Sequence, residues 1–364
     1  MTQRRSGWII ALLLFAVLCA VSFFAWHNFL ITPIVTQDEG FKYKLRLGES
    51  AHTFARELHE AHVLAHPHLF TFLILVKGDR HHLKAGEYLF PKGTTPASLL
   101  EQIVNGTGLV YHKFTIVPGS SFRQVREALN RDDALSHTTK NLSNAEIMKR
   151  LGYPSLHPEG QFFPDTYAFV DGVSDLVVLK RAFAEMQEKF NHAWEHRAPD
   201  LPFKNPQDAL IVASIIEKEA DVPTELPIIA GVLVNRLHRD MLLQFDPTVI
   251  YGLGSRFNGT IYRRDLLADT PYNTYVHKGL PPTPISMPSM AAIDAALHPD
   301  KNNYLYFVAR GDGVSHQFSR TLADHNAAVT ASKHYRADRP GYFNSALIKQ
   351  YLLKSFDTKI FNTN

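Results

Sequence analysis

Two carboxylates, Glu217 and Glu219, close an otherwise apolar stretch, Ala213-Ser-Ile-Ile-Glu-Lys-Glu-Ala220. A helix is predicted to carry them. Asn205 suits its N-cap, Pro206 its first position, and Leu210, Ile211, Val212, Ile215 and Ile216 supply a broad apolar face. At about 100° per residue the two carboxylates point roughly 200° apart, so they cannot act as a close pair. Glu219 stands over Val212, Ile215 and Ile216, whereas Glu217 stands over Leu210, Ala213 and Ser214, a less apolar strip. Aliphatic surroundings disfavour an ionised carboxyl, and a carboxyl that keeps its proton near neutrality suits general-acid chemistry. Glu219 is therefore the candidate for proton transfer. Glu217 is expected to contact backbone or a basic neighbour. A bare Glu-Lys-Glu would more often be a solvated helix end, so the surrounding chain has to decide the matter.

Other chemistries find less support. The 364 residues include 19 histidines, yet His-Glu-x-x-His is absent, and the helix-face spacing of His59, His62 and His66 is broken by His66-Pro-His68. Cys19 is the single cysteine, which excludes thiolate clusters and intramolecular disulfides. Neither a metal nor a cofactor is expected. Lys+Arg 38 against Asp+Glu 35 gives a net charge of +3, and no basic tract or reader motif points to nucleic acid.

Cys19 lies within Gly7–Trp26, an uncharged run of about twenty residues, long enough for a helix to cross a bilayer. Arg4 and Arg5 precede it, and Trp8 and Trp26 sit at its edges, which predicts a cytoplasmic N-terminus with the rest of the chain outside. A cleaved signal peptide is the competing reading. The run is long for one, and no convincing Ala-x-Ala site follows, so a retained single-pass anchor is expected.

The expected class is α+β throughout the exported part. Residues 1–6 form the cytoplasmic N-terminus, 7–27 the transmembrane helix and 28–40 a connector. A small α+β module over 41–108 begins with Tyr43-Lys-Leu-Arg-Leu47 as a strand. A helix from Ser50 with Phe54, Leu58 and Val63 follows, then helical character over Phe70–Leu75. Lys84-Ala-Gly-Glu-Tyr-Leu-Phe90 reads as the second strand and Thr95-Pro-Ala-Ser-Leu-Leu100 as another helix start. A larger domain over 109–335 opens with a strand at His112-Lys-Phe-Thr-Ile-Val117, a turn at Pro118-Gly119, and a helix with Phe122, Val125 and Leu129 on one stripe. Tyr304-Leu-Tyr-Phe-Val308, Gly311-Asp-Gly313 and His316-Gln-Phe318 spell a β-hairpin. Pro281, Pro282, Pro284 and Pro288 mark a stiff irregular loop outside the core. Residues 336–364 form a C-terminal extension without an assigned role.

Several separated segments, taken together and in order, resemble one family. They are Glu159-Gly-Gln-Phe-Phe-Pro-Asp-Thr-Tyr167, Ala213–Ala220, Val234-Asn-Arg-Leu237 and Leu243-Gln-Phe-Asp-Pro-Thr-Val-Ile-Tyr-Gly252. Tyr272-Asn-Thr-Tyr275, Gly279-Leu-Pro-Pro282, His298-Pro299, Tyr304–Val308 and His325-Asn326 continue the series. The chain is similar in these to the YceG-like (MltG) family of membrane-bound endolytic murein transglycosylases, from about the membrane segment to about residue 335.

The resemblance implies a LysM-like glycan-binding module over 41–108 and a YceG-like catalytic domain after it. It also implies the second Glu of Glu-x-Glu, Glu219, as catalytic acid and base. The implied reaction cleaves the MurNAc-β-1,4-GlcNAc bond of nascent glycan strands without water, leaving 1,6-anhydro-MurNAc ends. Implied partners are peptidoglycan strands, the inner membrane and its wall synthases (penicillin-binding proteins). Within the motifs, Gln244, Asp246, Thr248 and Tyr251, with Tyr272, Asn273, Thr274 and Tyr275, combine hydrogen-bonding groups with aromatic faces, as saccharide binding requires. Glu159 and Asp165 are candidates for the cleft wall. Arg236, with Asn235, is expected to pair with an acid and hold the active-site helix, and His325 and Asn326 to support the site. Asp246, ahead of Pro247, equally suits a turn or helix cap. Two other readings stand: a water-using muramidase pairing Glu219 with Asp246 or Glu159, and a non-catalytic wall-binding scaffold.

Overall fold

In the computed structural model, residues 2–46, 48–79, 82–220, 222–312 and 314–337 are described. Met1 of the expected N-terminal segment, Leu47 of the expected first strand, Gly313 of the expected hairpin turn and 338–364 of the C-terminal extension lie outside them. The architecture is mixed α+β. The chain divides into two compact units: residues 1–112 with 168–173, and residues 113–167 with those from 174 onward.

The first unit begins with α1, Thr2–Ile31, which starts five residues before the expected span of 7–27 and ends four residues after it. Its segment Leu12–Ile31 has a mean hydropathy of 1.9, and none of its residues is fully buried, although Trp26, Phe29 and Leu30 pack against the core of the first unit. A β–α–α–β arrangement follows: β1 (Phe41–Leu45), α2 (Ala51–Glu60), α3 (Pro67–Lys77) and β2 (Gly86–Phe90), after which comes α4 (Pro96–Asn105). The strands pair antiparallel with Phe41 opposite Phe90 and Leu45 opposite Gly86. This register starts β1 two residues before the expected strand, which brings Phe41 into the ladder. Tyr88 and Phe90 point to the same face, their rings stacked at 5.5 Å. They lie over Phe54, Leu58, Phe70, Ile74, Leu99 and Ile103, all fully buried. The Tyr88 hydroxyl donates to the Lys84 carbonyl at 2.8 Å, so its burial leaves no unpaired donor. Ser50 caps α2, and Thr95 with Ser98 forms a capping box ahead of Pro96 on α4.

The strands β3 (Tyr111–Thr115) and β4 (Thr166–Val170), each divided between the two units, form a two-stranded sheet, and α5 (Phe122–Leu129) and α6 (Asn144–Arg150) of the second unit lie between them in sequence. The helices α7 (Asp175–Glu195), α8 (Pro206–Glu219), α9 (Leu226–His238), α10 (Asp246–Leu253), α11 (Arg263–Leu266) and α12 (Met290–Leu297) follow. Last come β5 (Tyr306–Ala309), β6 (His316–Ser319) and α13 (Leu322–Ala337). The hairpin expected from Tyr304–Phe318 is present, with Tyr306 opposite Ser319 and Ala309 opposite His316.

The position of α8 organises this unit. Every residue from Ala209 to Ile216 is buried, so the helix is apolar all round rather than on one face, and it packs against α9, α10 and α12. Asn205 caps it by accepting from the Asp208 N–H at 3.0 Å. The proline-rich loop is irregular, as expected, but it is part of the core, with Ile285, Ser286 and Met287 almost fully buried. Its backbone is satisfied where it lies. Ile285 N–H donates to Ser214 Oγ at 3.0 Å, Ser286 Oγ donates to the Ser214 carbonyl at 3.0 Å, and Met287 exchanges main-chain bonds with Gly119 and Ser120. Ser214, a polar residue on an apolar helix, thus fastens this loop to α8.

Candidate active site

The last residue of α8 is Glu219, and Ala220 after it turns to extended backbone. The residue keeps partial contact with solvent, yet its carboxyl is enclosed, and Oε2 is buried with no hydrogen-bond partner. Enclosure comes first among the causes that push this carboxyl from 4.5 up to about 8; the nearby negative charge of Asp246 adds to the rise and Arg236 opposes it. At neutral pH the group holds its proton. An acid in that state, with an unsatisfied oxygen, is poised to give a proton to a bound oxygen.

Three sequence-distant groups surround it. Asp246 opens α10, and its Oδ1 accepts the Tyr275 hydroxyl at 2.5 Å. Burial, together with Asp246 and Glu219, drives the Tyr275 phenol well above its usual range, so it stays a donor. Arg236, on α9, is 6% exposed. It was expected to pair with an acid; instead it donates to main-chain carbonyls of Leu305 at 2.6 Å, Leu243 at 2.7 Å and Leu242 at 3.2 Å. Carbonyls partly solvate the buried cation and tie α9 to the segments before α10 and β5. Its guanidinium also lies 5.3 Å over the Tyr306 ring, and on Tyr306 stacks His325 at 5.3 Å. His325 Nδ1 is another enclosed atom without a partner, and burial and Arg236 hold this imidazole below its ordinary range, favouring the neutral form. Asn235 donates to the carbonyls of Asn302 at 2.9 Å and Tyr304 at 3.0 Å, and so anchors the approach to β5.

The remaining sequence candidates separate into groups. Thr248, Asn273 and Thr274, read from the sequence as sugar-holding residues, are at most 2% exposed. Asn273 Nδ2 donates to the carbonyls of Ala268 at 2.7 Å and Leu266 at 3.0 Å, and its Oδ1 accepts Tyr275 N–H at 2.9 Å. Thr274 Oγ1 accepts Phe245 N–H at 3.0 Å and meets Thr248 Oγ1 at 2.9 Å. Gln244 takes a positive φ of 55°, its N–H donating to the Thr274 carbonyl at 3.0 Å. These polar groups are consumed in holding residues 244–246 against 272–275, which brings Asp246 to Tyr275.

Glu159 is also buried, and burial raises its carboxyl to about 7 against the two donors it accepts. Oε1 takes Phe122 N–H at 2.8 Å and Oε2 takes the Tyr251 hydroxyl at 2.9 Å. Both oxygens are engaged, and the group fixes the start of α5 to α10. Tyr251 packs edge-on to Tyr272, whose hydroxyl meets Thr283 Oγ1 at 2.9 Å. Asp165 is exposed and accepts Thr166 N–H; it lines a shallow depression with Arg181, Glu185 and Lys189 and makes no contact with the Glu219 group. Asn326 is exposed on α13. Glu217 does contact backbone, as expected: Oε2 accepts Ser289 N–H at 2.9 Å and Ser289 Oγ at 2.5 Å, at the N-cap of α12. His316 is a structural donor, its Nδ1 2.7 Å from Glu225 Oε2.

The positioning roles of Ser214, Ser289 and Tyr306 were not legible as such. Ser289, just before the largely apolar Met290–Leu297, carried an N-cap signal; nothing local marked the partners of Ser214 or Tyr306.

The YceG-like family matches residues 43–331, a range that holds Glu219 and every group described around it. The chain belongs to the YceG-like family. An endolytic murein transglycosylase from Bacillus subtilis is 31% identical over 297 residues, covering 77% of this chain and 81% of its own length. One from Streptococcus pneumoniae is 24% identical over 362 residues, 89% of this chain, which spans 64% of that relative's length. Among solved structures, a yceG-like protein from Listeria monocytogenes has 29% identity and a TM-score of 0.51, covering 80% of this chain and 99% of its own.

Proposed function

We propose that this YceG-like chain is an endolytic murein transglycosylase, a lyase, with Glu219 as its single acid and base. The observation that carries the reading is the enclosed, unpartnered Glu219 Oε2 on a carboxyl raised to about 8. The protonated carboxyl gives its proton to the glycosidic oxygen between N-acetylmuramic acid and N-acetylglucosamine, and the C1–O bond breaks. The carboxylate then takes the proton of the 6-hydroxyl of the same muramyl residue while that oxygen closes on C1. A 1,6-anhydro end results, and the acid is regenerated protonated. The negative Asp246, held by Tyr275, stabilises the positive charge that develops at C1.

That both oxygens of Glu159 are engaged supports a one-carboxylate mechanism. The proximity of Asp246 to Glu219, felt in its raised pKa, favours the second reading, a water-using muramidase with two carboxylates. Mass spectrometry of peptidoglycan digested by wild type and Glu219→Gln separates them. Internal cuts with anhydro ends, lost in the variant, are expected; reducing ends from the wild type would give the reaction to water. Undiminished anhydro ends from Glu219→Gln would remove Glu219 from the mechanism.

The β–α–α–β order of the first unit supports a LysM-like glycan-binding role for it. α1 serves as a single-pass inner-membrane anchor with Arg4 and Arg5 on the cytoplasmic side, and the catalytic unit works on nascent strands beside the wall synthases.

A further inference from the structure

α3 is not amphipathic in the way a surface helix of a water-soluble unit would be. Phe70, Leu73 and Ile74 face the core of the first unit, almost fully buried. Its opposite side is apolar too, with Leu69 38%, Phe72 52%, Leu75 55% and Val76 62% exposed. A contiguous apolar face of this kind requires a covering phase. Eleven residues are too few to span a bilayer but enough to lie along its surface.

The covering phase follows from what this face adjoins. Phe72 packs edge-on against Trp26 of α1, ring centroids 5.6 Å apart, and Trp26 packs against Phe29 at 5.7 Å. The exposed side of α3 is therefore continuous with the apolar exterior of α1, which exposes Val21, Phe23 and Phe24 just before Trp26. Tryptophan at the end of an apolar span marks the headgroup level. The ends of α3 are suited to that level, since His66 and His68 at its start and Lys77 at its close are exposed. A lysine there can run its stem along the apolar layer and leave the ammonium among phosphates.

Resting on the anchor reading of α1, we propose that the outward face of α3 inserts into the headgroup and upper acyl region of the bilayer that α1 crosses, so that the first unit is held at the membrane by two contacts. α1, packed on the unit through Trp26, Phe29 and Leu30, anchors it along one line; α3 adds the contact that fixes which side of the unit faces lipid.

The test uses the full chain with Cys19→Ser, reconstituted in phosphatidylethanolamine–phosphatidylglycerol vesicles. Nitroxide labels are placed singly at Phe72→Cys, Val76→Cys, Val21→Cys within α1, and Glu60→Cys on the polar end of α2. Collision rates with oxygen, which concentrates in lipid, and with a water-soluble nickel chelate give depth. Oxygen should exceed the nickel reagent at 72 and 76, as at 21, and the order should reverse at 60. Labels at 72 and 76 that behave like 60, while 21 remains in lipid, would overturn the proposal and leave the anchor standing. Exclusion of both reagents at 72 and 76 would mean that protein, such as a second copy, covers the face, and would overturn it equally. A water-exposed label at 21 would refute the anchor reading itself and the proposal with it.

Discussion

Replacing Glu219 by Gln tests the physical basis of the site apart from its chemistry. The folded carboxyl titrates at about 8 and an unconstrained one at 4.5, so between those values the native chain holds a proton that the unfolded chain has released. Rising pH therefore favours unfolding across that window, and below it the group makes no difference. With a full shift, stability would decline by about 2.5 kcal/mol from pH 5 to 7 and by about 4 kcal/mol from pH 5 to 9. Glutamine has nearly the same volume and does not titrate. Its amide, where Oε2 now lies unpartnered, adds a fixed penalty of about 1–3 kcal/mol that does not vary with pH.

The quantity to measure is thus the change with pH in the stability difference between variant and wild type. Groups that titrate alike in both chains cancel. Trp194 packs against the core of the second unit, so urea unfolding of the full chain in detergent, with Trp8→Phe and Trp26→Phe, can be followed by its fluorescence. The variant should gain on the wild type steadily from pH 5 and level off above pH 8. A difference that is flat with pH would mean that the carboxyl is hydrated or already ionised in the native state, and the proposed acid would lose its basis. Activity gives the companion curve, with wild-type kcat/KM falling as pH rises through about 8 because the proton donor is lost.

Other substitutions separate scaffold from chemistry. Tyr275→Phe removes the donor to Asp246 while keeping the ring; a drop in kcat/KM of about 10- to 100-fold is expected, with thermal stability little changed. Asn273→Ala leaves the carbonyls of Leu266 and Ala268 without their donor, and should lower stability by about 2–4 kcal/mol without a specific rise in KM when assayed well below its melting point. Glu217→Ala should destabilise by about 1–2 kcal/mol through the start of α12, with kcat within a few-fold of wild type in dye-labelled sacculus release. Gly231→Ala would set a Cβ 2.5 Å from the Asp300 carbonyl oxygen, against backbone that cannot easily move; a loss of about 1–3 kcal/mol should appear in the same unfolding assay.

How much of this was legible depended on whether the deciding interaction was local. The preference for Glu219 over Glu217 came from helix rotation, which sets it over Val212, Ile215 and Ile216, together with the resemblance of the surrounding motifs, and its enclosure is what the fold adds. The Ser50, Thr95 and Asn205 caps and the β5–β6 hairpin were equally local. Strand limits were shifted by pairing: β1 starts at Phe41 because Phe90 is its partner, a fact 49 residues away in the chain. The site's second layer was illegible for the same reason. Thr248 and Thr274 are hydroxyl-bearing residues in motifs full of sugar-like chemistry, and only the fold shows that each serves the other. Arg236 looked like half of an ion pair because sequence offers carboxylates as partners but hides carbonyls, and carbonyls are what it binds. The proline-rich loop read as surface because its composition gave no account of Ser214, which receives it.

The arrangement divides labour between the two sides of one helix. Glu217 and Glu219 leave α8 on nearly opposite bearings, and their environments part their roles. Glu217 meets two donors from Ser289 and fastens the N-terminal end of α12. Glu219 meets no donor at Oε2 and feels Asp246, which favours the acid. The cation nearest to Glu219, Arg236, gives its hydrogen bonds to main-chain carbonyls, and Asp246 takes its donor from Tyr275. Burial is the first cause of this raised carboxyl, and no donor at Oε2 offsets it. It follows that adding a partner should silence it. A donor aimed at Oε2, as Ala220→Ser would offer if its hydroxyl turned inward, should lower the Glu219 pKa and reduce the rate near neutrality while sparing the fold. An unchanged pH–rate profile in a variant whose structure places that hydroxyl within hydrogen-bond distance of Oε2 would refute the link between its isolation and its acidity.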